Sequence, residues 1–84
     1  MNENEVRLLD TDETEGAQFT PRQQWYLGID TYVQPVTLEW LSPGNVWVEL
    51  GSYSSVGRWQ LNAAPGDTFR LTTSAAGSRA WGYL

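Results

Sequence analysis

The chain has 84 residues with five Arg, ten acidic residues and a formal net charge of −5, and it contains no Lys, His or Cys. One domain fits in that length, without a disulfide framework or thiolate metal site and without the commonest general base and metal ligand. No apolar run approaches the roughly 20 residues that span a bilayer, and clustered basic residues of the kind that neutralise nucleic-acid phosphates are missing.

The charge is unevenly placed. Residues 1–16 carry six acids against the single Arg7, whereas residues 17–84 carry four acids and four Arg. Residues 1–16 therefore read as an acidic N-terminal arm on a neutral body at 17–84. Val6, Leu8 and Leu9 are its only large apolar residues, too few to offset the entropy of ordering it alone. Either the arm is a solvated tail, or Val6-Arg7-Leu8-Leu9 lies along a neighbouring subunit as an added strand. The run Asp10-Thr11-Asp12-Glu13-Thr14-Glu15 alternates oxygen donors like a calcium loop. It lacks the central Gly and the correctly spaced bidentate Glu of such a loop, so no metal site is expected. The acidic start also lacks the basic region of a secretory signal, so a cytoplasmic origin is expected.

From Ala17 onward the sequence is rich in Trp, Tyr, Val, Thr and Gly, the composition of half-buried strands and tight turns. Strands are predicted near 18–20, 24–29, 35–41, 46–50, 57–61, 68–73 and 79–84. In the second, adjacent Trp25 and Tyr26 must face opposite sides. In the third, alternation sends Val36, Leu38 and Trp40 to one face and Thr37 and Glu39 to the other. Ser42-Pro43-Gly44-Asn45 then reads as a type II turn, with Pro43 presetting φ and Gly44 supplying the positive φ. The fourth strand completes a hairpin, with Val46, Val48 and Leu50 inward and Trp47 and Glu49 outward. Ala64-Pro65-Gly66-Asp67 repeats the turn chemistry before Phe69-Arg70-Leu71-Thr72. Ser74–Ser78 leads to a last strand with Trp81 and Tyr83 on one face and Ala80, Gly82 and Leu84 on the other. Six or seven short strands at this spacing predict an all-β fold, a small antiparallel sandwich or barrel of jelly-roll type.

Nothing in the pattern builds an active site. Ser and Thr have no partner base, and Glu39 and Glu49 read as two solvated strand-face acids rather than a glycosidase pair. The glycines are turn residues, not a phosphate loop. No cofactor is implied, and the chain is expected not to be an enzyme. The aromatic residues carry the information. Trp40, Phe69, Leu71 and Trp81 are assigned to the core, and Tyr26, Trp47 and Tyr53 to the surface as partner-binding candidates together with Val6, Leu8 and Leu9. A body this small is marginal on burial alone, and surplus Trp and Tyr suit a subunit interface, so association with copies of itself is expected.

The segment Pro35-Val36-Thr37-Leu38-Glu39-Trp40-Leu41, a Pro-Gly turn and Val46-Trp47-Val48-Glu49-Leu50-Gly51, then Leu61–Leu71 and the closing Ala80–Leu84, resembles small accessory virion proteins of tailed bacteriophages. The resemblance covers residues 35–84 and leaves the acidic leader without a role. It implies a capsid decoration (cement) protein that sits as an oligomer on the virion surface and clamps neighbouring major capsid protein subunits. The alternatives are a carbohydrate-binding or tail- or fibre-associated sandwich, which needs exposed coplanar rings, and a bare interaction domain.

Overall fold

The computed structural model describes residues 5–84, and residues 1–4, the first part of the expected arm, lie outside it. Seven strands follow one another: β1 (Glu5–Leu9), β2 (Gln24–Thr31), β3 (Val36–Leu41), β4 (Trp47–Tyr53), β5 (Gly57–Asn62), β6 (Phe69–Thr73) and β7 (Arg79–Tyr83). They form two antiparallel sheets, a larger one ordered β1-β7-β2-β5 and a smaller one ordered β4-β3-β6. Only β3 and β4 make a hairpin between sequence neighbours. The connections β2–β3, β4–β5, β5–β6 and β6–β7 all pass from one sheet to the other.

The predicted strand at 18–20 is instead part of a strap, residues 14–19, along the free edge of β6. The Phe19 and Phe69 N–H groups each donate to the other's carbonyl at 2.9 Å, Gly16 donates to Leu71 and Thr73 donates to Thr14. The strap takes the place of a fourth strand in the smaller sheet. With it, the wrapping order is that of a jelly roll.

The acidic arm is the main correction. Glu5–Leu9 is a strand of the larger sheet, paired with β7 in the register Glu5↔Tyr83, Val6↔Gly82, Arg7↔Trp81 and, past a bulge, Leu9↔Ala80. Leu8 and Leu9 are buried in the chain's own core. The physical reason lies in β7. Its inward residues Ala80 and Gly82 are small, and the side chains that fill the space above Gly82 are Leu8 and Leu84. The leader thus supplies core volume that the body lacks.

The core between the sheets comprises Leu8, Leu9, Phe19, Trp25, Leu27, Ile29, Val36, Leu38, Ala63, Phe69, Leu71 and Ala80, with Trp40, Tyr53, Trp59, Leu61 and Leu84 packed at its margin. Phe19 meets the Trp25 ring edge-on at 5.2 Å, and Phe69 lies 5.9 Å from Trp25, spacings that favour aromatic pairs. Trp25 and Tyr26 do face opposite sides. Trp81, expected inside, lies on the outer face, and Trp25 and Trp59 take the inward positions.

The two Pro-Gly turns differ. At Gly66 φ is +85° and the Asp67 N–H reaches the Ala64 carbonyl at 3.1 Å, as a type II turn requires. In the β3–β4 loop the positive φ falls on Asn45, not Gly44. Asn45 donates to the Ser42 carbonyl and Ser42 to the Val46 carbonyl. That is the three-residue hairpin loop, a type I turn followed by a left-handed residue, a conformation Asn tolerates. The connection from β2 to β3 is held by Ser78, which is fully buried. Its Oγ accepts from the Val33 and Gln34 N–H groups and donates to the Gln34 carbonyl.

Candidate functional site

Two surfaces are built by this arrangement. The first is the outer face of the larger sheet. Register places Arg7, Trp81, Gly28 and Arg58 in one row across β1, β7, β2 and β5, and Glu5, Tyr83, Tyr26 and Gln60 in the next. Gly28 leaves a gap between Trp81 and Arg58. The resulting groove, about 310 Å³, is lined by Glu5, Gly28, Asp30, Gly57, Arg58, Trp81 and Tyr83, with Ile29 beneath.

Three polar groups of the groove, those of Arg58, Asp30 and Trp81, are oriented by neighbours. The Arg58 guanidinium lies over the Tyr26 ring at 4.6 Å and the Tyr83 ring at 4.5 Å, an arrangement worth about 0.5–1 kcal/mol per ring at an exposed site. It makes no carboxylate contact among the described residues. Asp30 accepts from Arg79 Nε and from the Trp81 indole N–H, both at 2.9 Å. The Arg79 bond is the chief reason its carboxyl is held below its ordinary value; burial opposes it, and the indole bond adds a lesser lowering.

The second surface is the side of the sandwich where β4 and β5 are edge strands. The expected inward set of β4 is corrected here. Val46, Val48 and Leu50 are 59%, 39% and 54% exposed, and Val56 in the β4–β5 connection is 61% exposed. A bulge between Leu38 and Glu39 shifts the register so that Gly51 pairs with Leu38 and Glu49 with Glu39, leaving Leu50 unpaired. The core on this side is closed by Tyr53 against Trp59, ring centroids 4.8 Å apart. Burial pushes the Tyr53 phenol above its ordinary value. β4 holds neither Lys nor Pro, and its edge is blunted only by Glu49 and the bulge.

The remaining predicted residues fall as follows. Val6 is on β1 and 44% exposed, whereas Leu8 and Leu9 are spent on the core and offer no partner surface. Tyr26 is half-buried beneath Arg58. Trp47 is half-buried on the outer face of the smaller sheet, where the Arg70 guanidinium stacks 4.1 Å above it. Arg70 also binds Glu39 at 2.7 Å and Glu15 at 3.0 Å, which offsets the Glu39–Glu49 juxtaposition. The acids of the supposed calcium loop are divided. Glu13 folds back onto the Asp10 N–H, Asp10 pairs with Arg7, and Glu15 goes to Arg70. Among the described residues no group of three or more potential ligands could hold a metal ion.

Sequence reasoning missed Asp30, Arg58, Trp81 and Tyr83 as one constellation. The alternation of β7 had set Trp81 and Tyr83 on a common face, but only the β2–β7–β5 pairing shows that this face is outward and that Gly28 and Arg58 lie beside it. No family model matches the chain, and no curated protein or solved structure matches it.

Proposed function

We propose that the chain is a structural component of a tailed-bacteriophage virion, a decoration protein that binds the capsid shell and stabilises it as an oligomer. The observation that carries this reading is the open β4–β5 side, where Val46, Val48, Leu50 and Val56 stand exposed on the edge strand β4 and the loops at its two ends. An edge strand is a template for pairing, and apolar side chains left exposed on it suit an interaction site. A chain this short gains more from association than a larger one, because its own core is limited. The sequence resemblance over residues 35–84 supplies the kind of particle, and a sandwich acting by contact alone needs none of the catalytic groups the chain lacks.

The test is quantitative mass spectrometry of purified particles, read as copies of this chain per major capsid protein subunit. A decoration protein gives a ratio on the order of one, as repetition over a symmetric shell demands. A handful of copies per particle would move the protein to the neck, the tail or a single vertex. Absence from particles would end the virion reading.

A further inference from the structure

The groove on the outer face of the larger sheet has features that sheet stability does not call for. Gly28 lies mid-strand between Trp81 and Arg58. Glycine weakens a strand interior, and where it persists it commonly marks a close approach by a ligand or another backbone. Among the described residues no neighbouring backbone makes that approach. A Cβ at Gly28 would find only the Gly57 carbonyl oxygen, 3.9 Å away, and its φ is not in the left-handed region. Neither sterics nor conformation requires glycine at this position, so the space above it is what distinguishes it.

Around that space stand an indole, one phenol ring, one guanidinium and two carboxylates, the guanidinium being held over the Tyr26 and Tyr83 rings. The indole is fixed by its bond to Asp30, and Asp30 in turn by Arg79. Fixing the ring and the acid in advance lowers the cost of binding. A ligand suited to this lining has an apolar face to lie on an aromatic ring and a rim of hydroxyls that both donate and accept. Arg58 offers donors, whereas Glu5 and Asp30 offer acceptors. The charges do not favour an anion. Arg79 is committed to Asp30, which leaves Arg58 facing Glu5 in the groove. The volume, about 310 Å³, is at the small end for ligand sites and suits one sugar ring rather than an extended chain.

We propose that the slot over Gly28 is a subsite for one neutral hexopyranose unit of a glycan, stacked against Trp81 and hydrogen-bonded by Arg58, Asp30 and Glu5. This does not rest on the virion reading, since the groove belongs to the single chain and opens on the outer face of the larger sheet, although its β5 wall, Gly57 and Arg58, adjoins the β4–β5 side.

The test uses the intact protein with neutral gluco-, galacto- and manno-oligosaccharides, and with polygalacturonate and sialyllactose as anionic comparators. Binding is read by isothermal titration calorimetry in every variant, and NMR at the Trp81 indole N–H locates it in those that keep the indole. The expected result is saturable binding of a neutral oligosaccharide with a shift of that resonance. Gly28→Val, whose Cβ meets only the Gly57 carbonyl oxygen at 3.9 Å and which places a strand-favouring residue in the slot, weakens binding at least about tenfold while melting no earlier than the parent. Trp81→Ala abolishes binding. No binding of any neutral sugar would overturn the proposal, as would binding of the anionic glycans alone. Binding unchanged in a folded Gly28→Val protein would also overturn it. If Gly28→Val impairs attachment to particles while no neutral sugar binds, the groove is a protein contact and the saccharide assignment fails.

Discussion

Substituting Leu9 by Ala tests whether the N-terminal segment belongs to the sandwich. Leu9 is fully buried and lies opposite Ala80, so the β7 partner is too small to expand into the space a truncation leaves. Deleting a buried Leu side chain to Ala costs about 2–5 kcal/mol, more where the site cannot collapse. β1 is an edge strand and can move somewhat, which places the expected loss near the middle, at about 3 kcal/mol. For a domain of this size each kcal/mol lowers Tm by roughly 4–8 °C, so the expected drop is about 12–24 °C. Val6→Ala, two positions outside the bulge and 44% exposed, should lose only about 1 kcal/mol, part of the value for a fully buried Val. Thermal unfolding followed by circular dichroism and Trp fluorescence at one fixed protein concentration reads both, the fixed concentration keeping any contribution from self-association comparable between variants. A Leu9→Ala loss below about 1 kcal/mol, or equal losses at the two positions, would refute the docking of β1, since core deletions of this type do not cost so little.

Gly16→Ala should lose about 3 kcal/mol or more, as overpacking against rigid backbone does, because a Cβ there would overlap the Leu8 carbonyl oxygen where the strap crosses β1. Gly44→Ala, with only the Ser42 hydroxyl 3.7 Å away, should change stability by less than about 1 kcal/mol; urea denaturation of the two variants separates a backbone crossing from a general glycine effect. Ser78→Ala strands the Val33 and Gln34 N–H groups and should cost about 1–3 kcal/mol, with accelerated amide exchange at those two residues as the local sign. Asp30 is held below its ordinary value of 3.8 by Arg79 first, so its contribution is complete above that pH and disappears as pH falls through the depressed folded value. The Tm difference between wild type and Asp30→Asn should accordingly be present at neutral pH and shrink to zero in strong acid, and it should be small because both partners of the pair are well exposed.

The parts of the fold that were legible in the sequence are those with strict local alternation. Val36, Leu38 and Trp40 face the core because a strand's side-chain period is two and nothing interrupts β3. β4 carries the same alternation, yet it misleads. The bulge opposite Leu38–Glu39 breaks the register, and β4 is an edge strand on the open side, so Val46 and Leu50 gain no neighbours to bury them. Edge position and bulges are set by pairing, which local pattern does not encode. For β7 the alternation was correct but its direction was reversed. Two aromatics outweigh Ala80 and Gly82 in hydrophobicity, and only the volume supplied from β1 makes the small face the inward one. The leader's role was hidden for the same reason. Val6, Leu8 and Leu9 cannot support a structure alone, but they have value in a core already assembled. The groove needed three strands from distant parts of the chain and was legible only as separate residues.

The arginines explain why one exposed surface is a better candidate for protein contact than the other. None of the five is left as a free surface charge. Arg22 donates to the Leu84 main-chain oxygen, Arg79 to Asp30 and Arg70 to Glu39, while guanidinium groups lie over Trp47, Trp81, Tyr26 and Tyr83. A planar, weakly hydrated guanidinium covers a ring face while keeping its edge in water, which a compact, strongly hydrated ammonium does less well, and the chain contains no Lys. The Trp47, Tyr26 and Tyr83 faces are thus already covered by guanidinium groups, whereas Trp81, with Arg7 farther off at 6.0 Å, still lines the groove, and a ligand there must compete with Arg58, as a hydroxyl-rich one can by exchanging hydrogen bonds. Val46, Val48, Leu50 and Val56 have no such cover. Replacing Leu50 by Asp puts a charge on the unpaired residue of the bulge, where it disturbs no ladder hydrogen bond, and should leave the monomer's Tm within about 0.5 kcal/mol of the parent in equivalent stability, as for a surface change. Light scattering should find the parent self-associated and Leu50→Asp monomeric. A parent that is monomeric at every concentration would remove self-association through this side and leave the β4–β5 surface to a partner other than a copy of this chain.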